Sequence, residues 1–122
     1  MSEHDKVWPK ELRVSPDRRT LTVSFTDGRS YAIEAELLRV RSPSAEVQGH
    51  SPAQRTTVGG KSEVTITKVH PVGNYAARLA FDDGHDTGIF TWDFLSELGE
   101  AKDERWNEYI AELADKGMSR IF

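Results

Sequence analysis

One short pattern occurs twice in this chain and constrains most of what can form around it. "LTVSFTDGRSYAIEAELLRV" (Leu21–Val40) and "ARLAFDDGHDTGIFTWDFLSEL" (Ala77–Leu98) both read strand, F-x-D-G turn, strand, then an amphipathic helical segment. Phe25, Asp27, Gly28 and Ile33 align with Phe81, Asp83, Gly84 and Ile89, and after one inserted residue Leu38 aligns with Leu95. An internal duplication and convergence on a good hairpin both account for the match.

The apolar alternation selects the register of each hairpin. A two-residue Asp-Gly turn would put Tyr31 and Ile33 on the face opposite Leu21, Val23 and Phe25. A three-residue loop, with Gly28 left-handed as a bulge, pairs Val23 with Tyr31 and Leu21 with Ile33. All the large apolar residues then share one face, so the bulged loop is preferred. The same loop in the second hairpin, Asp82-Asp83-Gly84, pairs Phe81 with His85, Leu79 with Thr87 and Ala77 with Ile89. His85 then sits just past the turn, where the first hairpin has Arg29.

Around these hairpins, "ELRVS" (Glu11–Ser15) and "EVTITKV" (Glu63–Val69) read as strands, and "HPVGNY" (His70–Tyr75) as a turn. The stretch from Ser42 to Gly60 is rich in Ser, Pro and Gly and reads as a long loop, a feature that often carries function. From Asp103 to Gly117 the residues Trp106, Tyr109, Ile110 and Leu113 follow the i, i+3, i+4, i+7 stripe of a helix, with Asp103 as cap and Gly117 as stop. The expected fold is α+β and β-rich: two bulged hairpins, each followed by a short helix, plus a C-terminal amphipathic helix. One domain is expected over 1–122, with its core at about 8–98 and the last helix at about 103–117; a chain of 122 residues suits one core.

Composition removes several function classes. The chain has no cysteine, which excludes a disulfide scaffold, a cluster held by its own thiolates and a cysteine nucleophile. A net charge of -4 argues against a general nucleic-acid binder. No apolar run approaches the roughly 20 residues that span a bilayer. "MSEHDKVWPKEL" lacks the apolar core of a signal peptide, so a cytoplasmic location is expected.

The histidines are His4, His50, His70 and His85. None belongs to an H-E-x-x-H pair, and there is no His-x-Asp or His-x-Glu of the kind an iron oxygenase uses. What remains is a candidate metal site of His85, His50 and Asp83. Asp82, Asp83, His85 and Asp86 also form a candidate acid–base cluster, although Asp and Gly at the tip are what the bulged turn itself demands. The serines lack a G-x-S-x-G setting, and "VGGK" lacks phosphate-loop spacing. No catalytic motif is found, and the chain is read as a non-enzyme.

Three segments together resemble a known family: "WPKELRVS", "TDGRSYAIEAELLRVRSPSAEVQGH" and "VGNYAARLAFDDGHDTGIFTWDFL". The D-G-H-x-x-x-x-x-x-W and S-P-S-A-E-V-Q-G-H patterns are similar to those of small bacterial proteins grouped with the N-terminal domain of gamma-butyrobetaine hydroxylase. The resemblance covers roughly Trp8 to Leu98. It implies a compact β-rich domain that, in the hydroxylase, precedes the oxygenase barrel and carries a structural zinc. There the ligands are three clustered cysteines and the histidine of the D-G-H turn. His85 matches that histidine. The cysteine cluster falls on Ser42 to Val47, which here has only hydroxyls, and hydroxyls are poor zinc ligands. The barrel is absent, so hydroxylase activity does not carry over. Similar domains fused to iron–sulfur carrier ATPases of the Mrp type suggest a role beside iron–sulfur assembly.

The expected function is therefore a non-catalytic accessory or protein-interaction module, linked to an iron–sulfur or metalloprotein partner such as an iron–sulfur carrier. Its expected surface comprises Ser42, Ser44, Glu46, Gln48, His50, His85 and Trp92. The rival is a protein that binds zinc or iron through the Asp-Gly-His turn. In the resemblance the Ser42–Val47 segment and His85 meet at the zinc, so they are expected to be neighbours here.

Overall fold

The computed structural model describes residues 8–49 and 54–121. Strands β1 (Pro9–Val14), β2 (Thr20–Phe25) and β3 (Ser30–Glu34) form one antiparallel sheet, and helix α1 (Ala35–Val40) follows. A short helix α2 (Ala45–Gln48) comes next. Strands β4 (Ile66–Val72), β5 (Ala76–Phe81) and β6 (Gly88–Thr91) then form a second antiparallel sheet. Helices α3 (Trp92–Glu100) and α4 (Lys102–Asp115) close the chain. The fold is α+β, with a helix after each hairpin and an amphipathic helix at the end.

The first hairpin has the expected bulged register. Leu21 pairs with Ile33 and Val23 with Tyr31, and Gly28 takes a φ of 96° that only glycine adopts without strain. In the second hairpin the turn repeats, with Phe81 N–H donating to the His85 carbonyl at 2.9 Å and Gly84 at φ 91°. Beyond it the expected pairing is off by one. Leu79 faces Gly88 rather than Thr87, and Ala77 faces Phe90 rather than Ile89. One extra residue after His85 reverses the alternation. Phe90 is thereby fully buried, while Ile89 is left 41% exposed. A ring buries more apolar area than a branched alkyl chain, and that decides the register.

Other boundaries also moved. His70-Pro71-Val72 continue β4, because His70 pairs with Arg78 and Val72 with Ala76; the turn is confined to Gly73 and its neighbours. The stretch from Ser42 to Gly60 is not plain loop. It contains α2, buries Val47, and is tied back by Thr56 N–H to the Val47 carbonyl at 2.7 Å. Asp103 does not cap α4; only Ala101 separates the two last helices, so the N-cap position falls there. Gly117 does end α4. It sits at φ 65°, and Met118 N–H reaches the Leu113 carbonyl at 2.8 Å in a Schellman closure.

A single cluster takes Leu21, Val23 and Ile33 from one sheet, Ile66, Leu79 and Phe90 from the other, and Leu38, Leu95 and Tyr109 from the helices. The stripe of α4 therefore packs on its own chain through Tyr109 and Leu113, while Ile110 stays 38% exposed.

One residue staples the two sheets outside the core. Arg18 sits at φ 63°, in the left-handed region. Its Nε donates to the Ile66 carbonyl and its Nη2 to the Thr67 carbonyl, both at 2.6 Å. Its own carbonyl accepts from Ile66 N–H at 2.8 Å. Arg18→Ala removes both side-chain bonds but keeps the backbone strain, and is expected to lower stability by about 1–2 kcal/mol. Arg18→Gly is expected to recover about 1 kcal/mol of that by relieving the strain. Urea midpoints of the two variants, compared at equal slope, check the order.

Candidate functional site

The end of α1, the start of α2 and the second hairpin turn converge on His85. Ser42 lies just past α1, and Ser44 occupies the N-cap position of α2. The Ser44 hydroxyl does not cap its helix. It is 3.4 Å from His85 Nε2, and Ser42 Oγ is 2.9 Å from the same nitrogen. On the other side of the ring, Glu46 Oε1 stands 3.5 Å from Nδ1 and also accepts from the Thr87 hydroxyl at 2.5 Å. A carboxylate facing Nδ1 favours the tautomer with its proton there, so Nε2 accepts from the Ser42 hydroxyl. The expected meeting of the Ser42–Val47 segment with His85 is present.

Gly88 makes this approach possible. A Cβ on Gly88 would overlap Ser42 Oγ and lie 3.0 Å from the Phe90 ring. A glycine within a strand can mark such a close approach, so Gly88 is a local signal for this packing beside the family resemblance.

The cluster is buried. His85 is 8% exposed, Ser44 7% and Ser42 0%. Ser42, His85 and Glu46 stand in the spatial order of a nucleophile, base and acid. No substrate carbonyl reaches Ser42 Oγ, however, because the hydroxyl is sealed beneath β6. The arrangement works as a brace between the α1–α2 connection and the hairpin.

Asp83 neighbours His85 in sequence but serves different partners. Its carboxylate accepts from Arg39 Nε at 2.6 Å and lies 2.7 Å from Lys61 Nζ. Its Oδ1 also accepts from the His85 backbone N–H at 3.0 Å. Burial pushes the Asp83 carboxyl up, but Lys61, the His85 N–H and Arg39 outweigh it and bring it down to about 2. The imidazole of His85 is lowered below its usual range, first by burial and then by the Arg39 charge.

These placements correct several expectations. Ser42, Ser44 and His85 are interior groups, because the hydroxyl–imidazole bonds draw them inward, and they offer no docking surface. Glu46 does face solvent, with its side chain 60% exposed. Gln48 is half-buried and donates to the carbonyls of Arg41 and Ser42 at 3.3 and 3.1 Å. Trp92 stands at the opposite end of β5, donating from its indole nitrogen to the Asn74 carbonyl at 2.9 Å. At the strand rise that is roughly 17 Å from the His85 end, so Trp92 is not part of this surface. His50 lies outside the described residues. Among the described residues no group of three or more histidines and carboxylates is placed to hold a metal. Arg39 and Lys61, which set the charge on Asp83, are not singled out by any sequence pattern.

Both titrating groups are lowered in the folded state, so the unfolded chain binds more protons in each range. Stability from His85 is complete above pH 6.5 and declines as pH falls through its lowered folded value. Stability from Asp83 is complete above its ordinary value of 3.8 and declines as pH falls towards about 2. Unfolding midpoints are therefore expected to drop on acidification below pH 6.5. His85→Gln should flatten the first part of that decline and leave the Asp83 part below pH 4.

A family model described as gamma-butyrobetaine hydroxylase-like, N-terminal, matches residues 12–96. Two proteins solved in solution by NMR are similar along almost the whole chain. One is 47% identical with a TM-score of 0.81, covering 93% of this chain and 90% of that one. The other is 40% identical with a TM-score of 0.82, covering 98% and 89%. A crystal structure from Acidithiobacillus ferrooxidans, of a protein of unknown function in the DUF971 family, is 40% identical with a TM-score of 0.62 over 75% of this chain and 91% of that one. No curated protein matches. No helix among the described residues is long and apolar enough to cross a membrane.

Proposed function

Because this chain belongs to the gamma-butyrobetaine hydroxylase-like N-terminal family, we propose that it is a non-catalytic interaction module that docks on a protein of the iron–sulfur assembly machinery, with Glu46 at the centre of the docking rim. The observation that supports this is the brace itself. Where the family resemblance implies zinc, this chain holds two neutral hydroxyls on one imidazole nitrogen. Asp83, the other described member of the expected metal set, is committed to Arg39 and Lys61. The Arg39 guanidinium also lowers the proton affinity of His85, and it disfavours a metal cation for the same reason. The residues present do not fit zinc, and the turn is held without it by hydrogen bonds and ion pairs. Such bracing favours a docking role, because a preordered rim loses less entropy on binding. Glu46, Asp86 and Thr87 are exposed beside one another on that rim, and they present an acidic face to a partner. The choice of an iron–sulfur carrier ATPase follows the domain fusions known for the family.

The test is an amide-shift titration of the labelled chain with an Mrp-type carrier ATPase, with and without its cluster. Saturable shifts at Glu46, Asp86 and Thr87, lost in Glu46→Lys, are the expected result. Absence of shifts at the rim sinks the docking reading. One metal per chain in protein purified without chelator, abolished by His85→Ala, would establish the metal reading instead.

A further inference from the structure

We propose that the cleft lined by α3, α4, Gln48 and Arg55 binds a small organic monocarboxylate with an apolar body. The cleft has a volume of about 450 Å³, within the range of small-molecule sites. Its floor is Arg41, whose side chain is only 4% exposed. Arg41 donates from Nη1 and Nη2 to the two oxygens of Glu112 at 3.2 and 2.7 Å and lies over the Tyr109 ring at 5.8 Å. Its Nε is buried with no hydrogen-bond partner among the described residues. A buried ion pair with an unsatisfied donor is a poor way to stabilise a core; an apolar pair of equal volume would serve better. The charge is better explained by what it attracts.

Two further arginines reach the same cleft from different segments. Arg55 touches Gln48 Oε1 and Glu112 Oε2 at 3.3 and 3.4 Å, the long end of hydrogen bonding, and so can exchange these contacts for a better acceptor. Arg105, on α4, meets Glu108 and Glu104 through the single nitrogen Nη1 at 2.8 and 3.6 Å. Guanidinium groups with donors to spare suit a carboxylate, which they can bind in a two-pronged manner. Opposite them, Phe94 and Leu98 of α3 supply an apolar wall. Glu97, Glu108 and Glu112 line the cleft beside the arginines, so an anion is held by direct guanidinium contacts rather than by net charge, and each further negative charge adds repulsion. A singly charged carboxylate takes over the long Arg55 contacts and sets its body against Phe94.

Benzoate is a suitable probe, with benzamide and inorganic phosphate as controls, titrated into the labelled full chain. Benzoate is expected to give saturable shifts at Arg55, Phe94, Leu98 and Arg105. Benzamide should bind about tenfold more weakly or not at all, and phosphate should not compete. Arg55→Gln and, separately, Arg105→Gln should each weaken benzoate by about tenfold while unfolding at the wild-type midpoint; Arg13→Gln, on the exposed face of β1, should leave it unchanged. Non-saturating benzoate shifts, equal binding of benzamide, or phosphate binding as tight as benzoate would each overturn the proposal.

Discussion

A Ser42→Cys/Ser44→Cys variant is expected to bind one zinc ion per chain with sub-micromolar affinity, where the parent chain binds none stoichiometrically. The two hydroxyls already converge on His85 Nε2, at 2.9 and 3.4 Å. Zinc bonds of about 2.3 Å to sulfur and 2.0–2.1 Å to nitrogen place tetrahedral S and N donors roughly 3.6 Å apart. The side chains therefore need to move by only a few tenths of an ångström to over half an ångström. Glu46 is already placed to accept from Nδ1–H, the second-layer contact that fixes a metal-bound imidazole. Three changes oppose the gain: sulfur is larger than oxygen beside Gly88, the Arg39 charge is close, and the fourth ligand has to be water. Thiolate binding outweighs them, since micromolar affinity already corresponds to about 8 kcal/mol. Zinc at a hundredfold excess over the dissociation constant should add about 2.7 kcal/mol to stability. Elemental analysis and thermal unfolding with and without chelator read both effects, and adding His85→Ala to the double variant should cancel them. A double variant that stays metal-free while folded would show that the convergence is not that of a metal site.

Tyr109→Ala should destabilise the chain by about 3–5 kcal/mol, a large part of the stability of an ordinary domain. Tyr109 is fully buried, its ring lies 5.6 Å from that of Trp106, and its hydroxyl donates to the Val58 carbonyl at 2.6 Å. The substitution opens a cavity and leaves that carbonyl unpaired, whereas Tyr109→Phe removes the hydrogen bond alone and should cost about 1–2 kcal/mol. The family match stops at residue 96, before α4 begins. If α4 were an appendage, Tyr109→Ala would leave the main unfolding transition in place, and a small change in the urea midpoint would say so. The phenol offers an independent readout. Burial, and then the Glu36 charge, push it up to about 12. Because the folded form holds its proton more tightly, the stability it contributes is complete below pH 10 and is lost as pH rises towards 12. Phenolate absorbance from this ring should appear only together with unfolding.

The hairpins were legible because their information is local. Asp-Gly at the tip, with alternating apolar residues on both sides, leaves one register that keeps Leu21, Val23, Tyr31 and Ile33 on a single face. The second hairpin carries the same turn, yet its pairing was read one residue off. Ile89 and Phe90 are both apolar and adjacent, so alternation alone does not say which of them turns inward. The candidate site was half legible. His85 and the Ser42–Val47 segment were brought together by family resemblance, and no local rule spans the sequence separation of 43 from Ser42 to His85. That the three polar groups face inward was not legible, since serine and histidine are ordinary surface residues in loop sequence.

By itself the sequence determined the turn chemistry, the α+β class, the helix after each hairpin, the Gly117 stop and the lack of any thiolate for a metal. Each of these depends on the backbone preferences of a few neighbouring residues, or on composition. Only the tertiary structure decided which apolar residue fills the space beneath β6, that Asp83 answers to Arg39 and Lys61, that Arg41 is buried against Glu112, and that α4 packs on its own chain. Those outcomes depend on charges and volumes brought together from distant parts of the chain. The free energy of such contacts exists only once the two sheets and the last helix have closed around them.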